Sequence, residues 1–143
     1  MATRTATAKW QGTLNEGSGT LAVGSGALDS PYSFKSRFED GPGTNPDELI
    51  GAAHAGCFTM ALSGILGEAG HSPESLETDA TVHLRMEDAG PTIARIDLDV
   101  HGRVPGIDEA EFEEHARAAK EGCAVSRALA GVREVNLNAQ LEA

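Results

Sequence analysis

The first forty residues alternate between apolar and polar positions, and alternation with a period of two is typical of β-strands. Glycine-rich turns separate the alternating segments, and residues 24–31 are expected to form a loop. In the last of these segments, Phe34 and Phe38 lie on one predicted face and Arg37 lies on the other. The pattern predicts three strands, over residues 3–13, 20–23 and 32–38.

A long apolar segment follows, flanked by residues that start and stop helices. Asn45 is a good N-cap, Pro46 suits the first helical position, and Glu48 follows Asn45 by three positions, as in a capping box. Gly70 is a natural C-terminal stop. We therefore predict a helix over residues 46–69. Because this helix is apolar nearly all round, we expect it to be buried.

The second half of the chain alternates again and contains further helical signals. The predicted elements are strands over 76–87, 92–103 and 133–141, a helix over 109–121 and a short helical turn over 125–130. The strand over 92–103 alternates almost strictly, so one face of its sheet should be solvated. The order β-β-β-α-β-β-α-β is an α+β arrangement. With no linkers or repeats, we expect a single domain over residues 1–143.

Charge and composition narrow the class of partner. The net charge is −11, from 22 acidic and 11 basic residues. Nucleic acids and anionic membranes are bound through basic patches, so neither is expected as a partner. No basic segment precedes an apolar one at the N-terminus, and no uninterrupted apolar run approaches ~20 residues. We therefore expect a cytoplasmic protein outside the membrane.

Two cysteines, Cys57 and Cys123, are the first candidates for chemistry. They lie far apart in sequence, so the CxxC spacing of redox and zinc motifs is absent. In a reducing compartment they are not expected to form a structural disulfide. Their number and spacing leave three interpretations open: buried inert residues, redox or nucleophilic thiols, or metal ligands.

Cys57 lies about three turns into the predicted helix, too far from its N-terminus for the helix dipole alone to favour a thiolate. A reactive thiolate there needs a cation from another element, and Lys35 and Arg37 are the candidates in the preceding strand. His54 precedes Cys57 by three positions and shares its helix face. Three roles are open for His54: a general base, a metal ligand together with Cys57, or a packed, hydrogen-bonded side chain.

Cys123 follows Gly122 at a predicted helix break. Exposed backbone N–H groups at such a break favour a thiolate, and a mobile thiol there can move to form a disulfide. The alternative is an ordinary small apolar residue at the start of a helical turn. The two interpretations remain open on these residues alone.

Asp47 and Glu48 at the start of the long helix are sufficiently explained as charges that favour a helix N-terminus. The functional alternative is a carboxylate that holds an arginine beside Cys57. Gly51 and Gly56 lower helix propensity, which indicates close approach of another element. That element is either part of the same chain or the same helix of a second subunit.

Four segments closely resemble the OsmC/Ohr family, in its osmotically inducible protein C branch. They are RF at 37–38, GTNPDELIGAAHAGCF at 43–58, VPGI at 104–107 and KEGCAVSRAL at 120–129. They occur in the family's order and include both cysteines, and the resemblance covers essentially the whole chain. It implies an intertwined homodimer in which two long central helices are wrapped by antiparallel sheets.

The resemblance also implies a function. It indicates a cysteine-based peroxidase of oxidative and osmotic stress defence, acting on organic hydroperoxides and less well on hydrogen peroxide. No metal or organic cofactor is expected, and the reductant is an external dithiol, typically a lipoyl-bearing protein. The alternative is a non-enzymatic stress protein that senses hydroperoxides through the same disulfide. A Cys/His metal protein is a third possibility.

Site residues follow from the same resemblance, position by position. Cys57 matches the peroxidatic thiol and Cys123 the resolving thiol. Arg37 matches the arginine that stabilises the thiolate in this branch. Asp47 stands where the family usually has glutamate, and Glu48 follows it. The carboxylate that holds Arg37 is therefore expected to be Asp47, Glu48 or both.

Overall fold

A computed structural model describes residues 1–142. Within them the chain forms six strands and four helices, in the order β1 Ala6–Gln11, β2 Ser18–Val23, β3 Asp29–Tyr32, α1 Phe34–Phe38, α2 Pro46–Glu68, β4 Ser75–Glu87, β5 Gly90–Arg103, α3 Glu109–Gly122, α4 Ala124–Ala128 and β6 Glu134–Leu141. Contacts divide the chain into two compact units, Met1–Leu49 and a second beginning at Ile50. The α+β class is confirmed. A single domain over 1–143 stays a prediction.

The first unit is an antiparallel sheet in the order β1-β2-β3. Trp10 and Tyr32, from β1 and β3, pack edge to face with ring centroids 5.2 Å apart. The predicted loop over 24–31 is wrong in its last residues, because β3 begins at Asp29. β3 is an edge strand, and an edge strand tolerates a residue without an N–H such as Pro31.

The predicted strand over 32–38 is also wrong, because residues from Phe34 onward form helix α1. Ser33 and Ser36 make a reciprocal capping box that starts the helix. Phe34 and Phe38 then lie one turn apart, with ring centroids 4.9 Å from each other. A spacing of four residues puts two side chains on the same face in a helix and in a strand, so the spacing alone does not distinguish them. The capping box favours the helix. Arg37 consequently lies on a helix.

Helix α2 starts and stops where its flanking residues indicate. Asn45 Oδ1 accepts the N–H of Glu48 at 2.8 Å, as expected of an N-cap. The Glu48 carboxylate, however, accepts the Thr44 hydroxyl at 2.7 Å, so it does not complete the predicted capping box. At the other end Gly70 has φ of 89°, and the His71 N–H returns to the Leu66 carbonyl at 2.8 Å. This is a Schellman motif.

Only one face of α2 is buried in the single chain. Phe58, Leu62 and Leu66 have no exposed surface. On the opposite face Ala52, Ala53 and Gly56 are exposed, and Met60 retains 78% of its exposure. The expectation of burial all round is therefore met on one side only. The helix leaves an apolar, small-residue face uncovered.

Helix α2 is also long and apolar enough to cross a membrane, with 23 residues and a mean hydropathy of 1.6. From the sequence we expected no membrane-spanning segment, because no uninterrupted apolar run approaches ~20 residues. A criterion based on mean hydropathy gives a different result because it tolerates a few polar residues within the helix. Length and composition are weak evidence, since core helices meet the same criteria. The buried side chains of α2 belong to the hydrophobic core of the second unit.

The second unit contains a sheet in the order β4-β5-β6, with helices on one face. β4 and β5 form an antiparallel hairpin, whereas β6 runs parallel to β5. The prediction of antiparallel sheets is therefore wrong for the β5–β6 pair, which is parallel. A parallel pair requires a crossover, which α3 and α4 supply. β5 alternates as predicted, with Ile96, Leu98 and Val100 buried among α2 and α3 side chains.

The extra helices change the predicted order of elements to β-β-β-α-α-β-β-α-α-β. α1 replaces part of a predicted strand. The predicted interruption at Gly122 falls one residue later, because Gly122 still belongs to α3. Cys123 is the junction residue, ending α3 and starting α4.

Gly102 of β5 makes room for the largest side chain of α3. A Cβ added at Gly102 would lie 2.4 Å from Cζ of Phe112 and 3.2 Å from a Leu76 methyl. Phe112 is fully buried, so its ring has no free space into which to move. The absence of a side chain at Gly102 is therefore a packing requirement.

We predict that Gly102→Ala destabilises the protein by about 1–3 kcal/mol, the usual cost of overpacking a core. Gly131→Ala is the matched control, because an added Cβ there meets nothing within 4 Å. Urea unfolding of both variants measures the difference. Equal midpoints for the two variants would contradict this account of the core.

Candidate active site

An arginine–carboxylate pair lies in the first unit. Arg37 Nε donates to Asp47 Oδ2 at 3.1 Å, and Nη2 donates to Oδ1 at 3.4 Å. The Asp47 side chain is only 10% exposed, and that of Arg37 is 34% exposed. The guanidinium also lies over the Phe38 ring, with Cζ 5.4 Å from its centroid. A two-point contact of this kind fixes the orientation of the guanidinium.

Backbone and side-chain contacts hold α1 against the start of α2 within this unit. The buried Ser36 hydroxyl donates to the Thr44 carbonyl at 2.7 Å. Asn45 Nδ2 donates to the Ser36 carbonyl at 2.9 Å. Gly43 has φ of 103°, where an added Cβ would lie 2.3 Å from the Pro31 carbonyl oxygen. These contacts place Arg37 opposite Asp47 without requiring a longer acidic side chain.

Glu48 and Lys35 are not part of this pair. Glu48 is exposed, and its carboxylate is occupied by the Thr44 hydroxyl. Lys35 is also exposed. Of the two acidic candidates, the one in contact with Arg37 is Asp47. The catalytic roles of Arg37, Asp47 and Glu48 stay predictions.

Cys123 lies in the second unit and caps a helix with its sulfur. The N–H of Ser126 donates to Cys123 Sγ at 3.3 Å, and the thiol donates to Ser126 Oγ at 3.1 Å. Cys123 is 3% exposed, whereas Cys57 is half-buried, and both are free thiols. The thiol of Cys123 is thus held between its own helix turn and the core.

Opposing effects set the acidity of Cys123. Burial raises the pKa of its thiol, while hydrogen bonds with the Ser126 hydroxyl, the Ser126 N–H, the Cys57 thiol and the Val125 backbone lower it. The hydrogen bonds prevail, and the pKa of Cys123 lies below its ordinary value. Cys57 also packs against the core cluster that contains Cys123, so the fold brings the two cysteines into one region although their sequence positions are distant.

His54 is the third member of this group. Its Nε2 lies 2.7 Å from Ser126 Oγ, and its side chain has no exposed surface. Burial lowers the pKa of His54, so the imidazole is neutral at physiological pH. Its Nδ1 is buried without a hydrogen-bond partner among the described residues. Within residues 1–142, no three His, Cys, Asp or Glu side chains converge to hold a metal ion.

Ser126 contacts both Cys123 and His54, and the sequence predicted no role for it. It follows Cys123 by three positions, the spacing of an N-cap and the residue that it caps. Cysteine is an uncommon cap, so the spacing alone gives a weak signal. The contact with His54, from another helix, has no signature in the local sequence.

The geometry can be compared with known proteins. The family model described as OsmC-like protein matches residues 39–138. The chain is 49% identical to Peroxiredoxin OsmC of Escherichia coli (strain K12), over 94% of each chain. It is 30% identical to Organic hydroperoxide resistance protein-like 1 of Staphylococcus epidermidis, over 71% of this chain and 73% of that one.

A solved structure agrees with the fold. The OsmC-like protein from Mycoplasma pneumoniae aligns over 99% of both chains with a TM-score of 0.77, at 18% identity. At that identity the likeness concerns the fold alone. Together with the relatives and the family model, it establishes that this chain belongs to the OsmC-like family.

We predict that Asp47→Asn abolishes the slowly exchanging Nε–H signal of Arg37 in ¹⁵N NMR spectra, because a carboxylate contact normally protects that proton. Glu48→Gln is the matched control, since it removes an adjacent charge that does not contact Arg37, and the signal should persist. Loss of the signal in Glu48→Gln alone would show that the carboxylates have been assigned the wrong way round.

Proposed function

We propose that this protein is a thiol-dependent peroxidase that reduces organic hydroperoxides to alcohols. The observation that carries the proposal is a pair of free thiols, Cys57 and Cys123, packed in one core cluster of an OsmC-like chain. The E. coli relative is named a peroxiredoxin and the S. epidermidis relative an organic hydroperoxide resistance protein. Those names support both the reaction and the substrate class.

In the first step, the Cys57 thiolate attacks the distal oxygen of ROOH. The O–O bond breaks, and the departing alkoxide takes a proton and leaves as the alcohol. Sulfur is oxidised by two electrons, and Cys57 becomes a sulfenic acid. The half-buried position of Cys57 supports its assignment as the attacking thiol, because substrate must reach it.

In the second step, Cys123 attacks the sulfenic sulfur of Cys57. A disulfide forms, and the hydroxyl leaves as water. An external dithiol then restores both thiols by two exchange reactions, ending as a disulfide itself. We propose a lipoyl-type dithiol for this role, as the family resemblance implies, and no metal or organic cofactor enters the cycle.

Arg37 is assigned to the first step. Its guanidinium stabilises the Cys57 thiolate and the charge that develops on the departing oxygen. Asp47 is a positioning residue, because its two contacts fix the plane of the guanidinium and leave one edge free. Glu48 is assigned no contact with the reacting atoms. The assignment of Arg37 to Cys57 rests on the resemblance.

We further propose that the protein works as a homodimer in the cytoplasm. The uncovered face of α2, with Ala52, Ala53, Gly56 and Met60, is apolar and narrow enough for a second helix to approach closely. The acidic net charge of −11 keeps the remaining surface away from nucleic acid and anionic membranes.

We predict that Cys57→Ser lowers consumption of cumene hydroperoxide by about 10³-fold or more, because serine is not a thiolate nucleophile. Without added thiol, Cys123→Ser should consume one equivalent and retain a sulfenic acid on Cys57, whereas the wild type forms the disulfide. Turnover of the wild type and of Cys57→Ser is followed in the presence of dihydrolipoamide. Full activity in Cys57→Ser would overturn the mechanism, and a wild type that reacts once and stops would indicate the sensor.

We predict that Met60→Asp converts the dimer to a monomer, because two carboxylates would be buried at the contact between α2 helices. Sedimentation velocity measures the change. Met86→Asp is the control, since Met86 is equally exposed at 74% but lies on β4. A wild type that sediments as a monomer would contradict the proposed assembly.

A further inference from the structure

A hydrogen-bonded chain of three side chains extends from Cys123 into the core. Cys123 Sγ lies 3.1 Å from Ser126 Oγ, which lies 2.7 Å from His54 Nε2. Ser126 Oγ accepts the thiol proton, so its own proton is free to be donated to Nε2. The polarity of the chain therefore runs from the thiol, through the hydroxyl, to the imidazole.

His54 is a costly residue to bury at this place. It has no exposed surface, and its Nδ1 finds no partner among the described residues. A buried polar atom without a partner costs about 1–3 kcal/mol, which an apolar side chain of similar size avoids. Such groups are often retained for chemistry. The nitrogen that does have a contact, Nε2, is the one facing Ser126.

We propose that Ser126 and His54 form a proton relay that activates Cys123 for the resolving step, an inference that rests on the proposed peroxidase cycle. The Cys123 proton moves to Ser126 Oγ as the Ser126 proton moves to His54 Nε2. The resulting Cys123 thiolate attacks the sulfenic sulfur of Cys57. The proton held on His54 returns to the hydroxyl that leaves, which completes one water.

The surroundings of the relay support a transient role for the proton. The groups acting on Cys123 are Ser126, the Cys57 thiol and the Val125 backbone, none of which is a charged side chain. Burial lowers the pKa of His54, so an imidazolium is not retained there once the thiolate has reacted. The Ser126 N–H remains to stabilise the thiolate after its proton has left.

Ser126→Ala and Ser126→Thr are the matched pair that tests the relay. Alanine removes the hydroxyl and keeps the N–H that contacts sulfur, whereas threonine keeps both. Each reduced protein is mixed with one equivalent of cumene hydroperoxide, and quench-flow mass spectrometry follows sulfenic acid and disulfide. We expect Ser126→Ala to lengthen the sulfenic acid lifetime at least tenfold at pH 7. At alkaline pH, where hydroxide in solution can deprotonate Cys123 without the relay, the lifetime in Ser126→Ala should approach that of the wild type.

Ser126→Thr should resemble the wild type at both pH values, and His54→Gln should resemble Ser126→Ala. Because the Ser126 hydroxyl also lowers the pKa of Cys123 directly, slowing in Ser126→Ala is necessary for the relay and does not establish it. His54→Gln, checked for folding because His54 is fully buried, keeps that hydroxyl and removes the base, and a wild-type lifetime in the folded variant would overturn the relay. An unchanged lifetime in Ser126→Ala at pH 7 would overturn the relay. An equal slowing at both pH values would also overturn it, since that is the result of altered packing.

A second measurement separates failure of the relay from failure of the proposed function. The ultraviolet absorbance of the Cys123 thiolate is measured against pH in a Cys57→Ser background without peroxide, because Cys123 is only 3% exposed and this readout needs no reagent to reach it. The midpoint should rise in Ser126→Ala and stay in place in Ser126→Thr. If the wild type forms neither sulfenic acid nor disulfide, the proposed function is wrong, and an unchanged midpoint in Ser126→Ala separately rejects the relay.

Discussion

The cap formed by the sulfur of Cys123 is the interaction on which the candidate site depends. α3 ends and α4 begins at this residue, and Sγ accepts the Ser126 N–H that a serine or aspartate oxygen would ordinarily accept. One contact thus holds the thiol, favours its thiolate and aligns the Ser126 hydroxyl with His54.

The long helix α2 gathers the other members of this group. Phe58, Leu62 and Leu66 anchor one face in the core against β5 and α3. His54 and Cys57 precede this anchor by one turn or less, so packing of the apolar side chains fixes where the imidazole and the thiol lie. The face that remains exposed carries small residues and Met60. Core and proposed dimer contact therefore use opposite sides of one helix.

The contact of Arg37 with a carboxylate is made by a short acidic side chain. Asp47 contacts the guanidinium at two points. Helix α1 accounts for this, because Ser36 and Asn45 hold it against the start of α2. An Arg37 on an extended strand, as alternation suggested, would not be held by these contacts.

Much of the fold was predictable because its signals are local. The cap at Asn45, the stop at Gly70 and the alternation of β5 each arise from neighbouring residues, and all three were confirmed. Residues 34–38 were predicted wrongly because a Ser-x-x-Ser cap outweighed a short alternating pattern. The parallel pairing of β6 and the contact of Ser126 with His54 join distant parts of the chain, so no window of sequence contains them.

The central claim is that Cys57 and Cys123 of one chain form a disulfide when the protein meets an organic hydroperoxide. Peptide mapping by mass spectrometry, after one equivalent of cumene hydroperoxide and rapid alkylation of remaining thiols, tests this most directly. The account predicts a crosslinked peptide pair containing both cysteines, in chains that separate as monomers under denaturing conditions without reductant. Alkylated Cys123 beside a Cys57 that is unmodified or oxidised to sulfinic acid would contradict it.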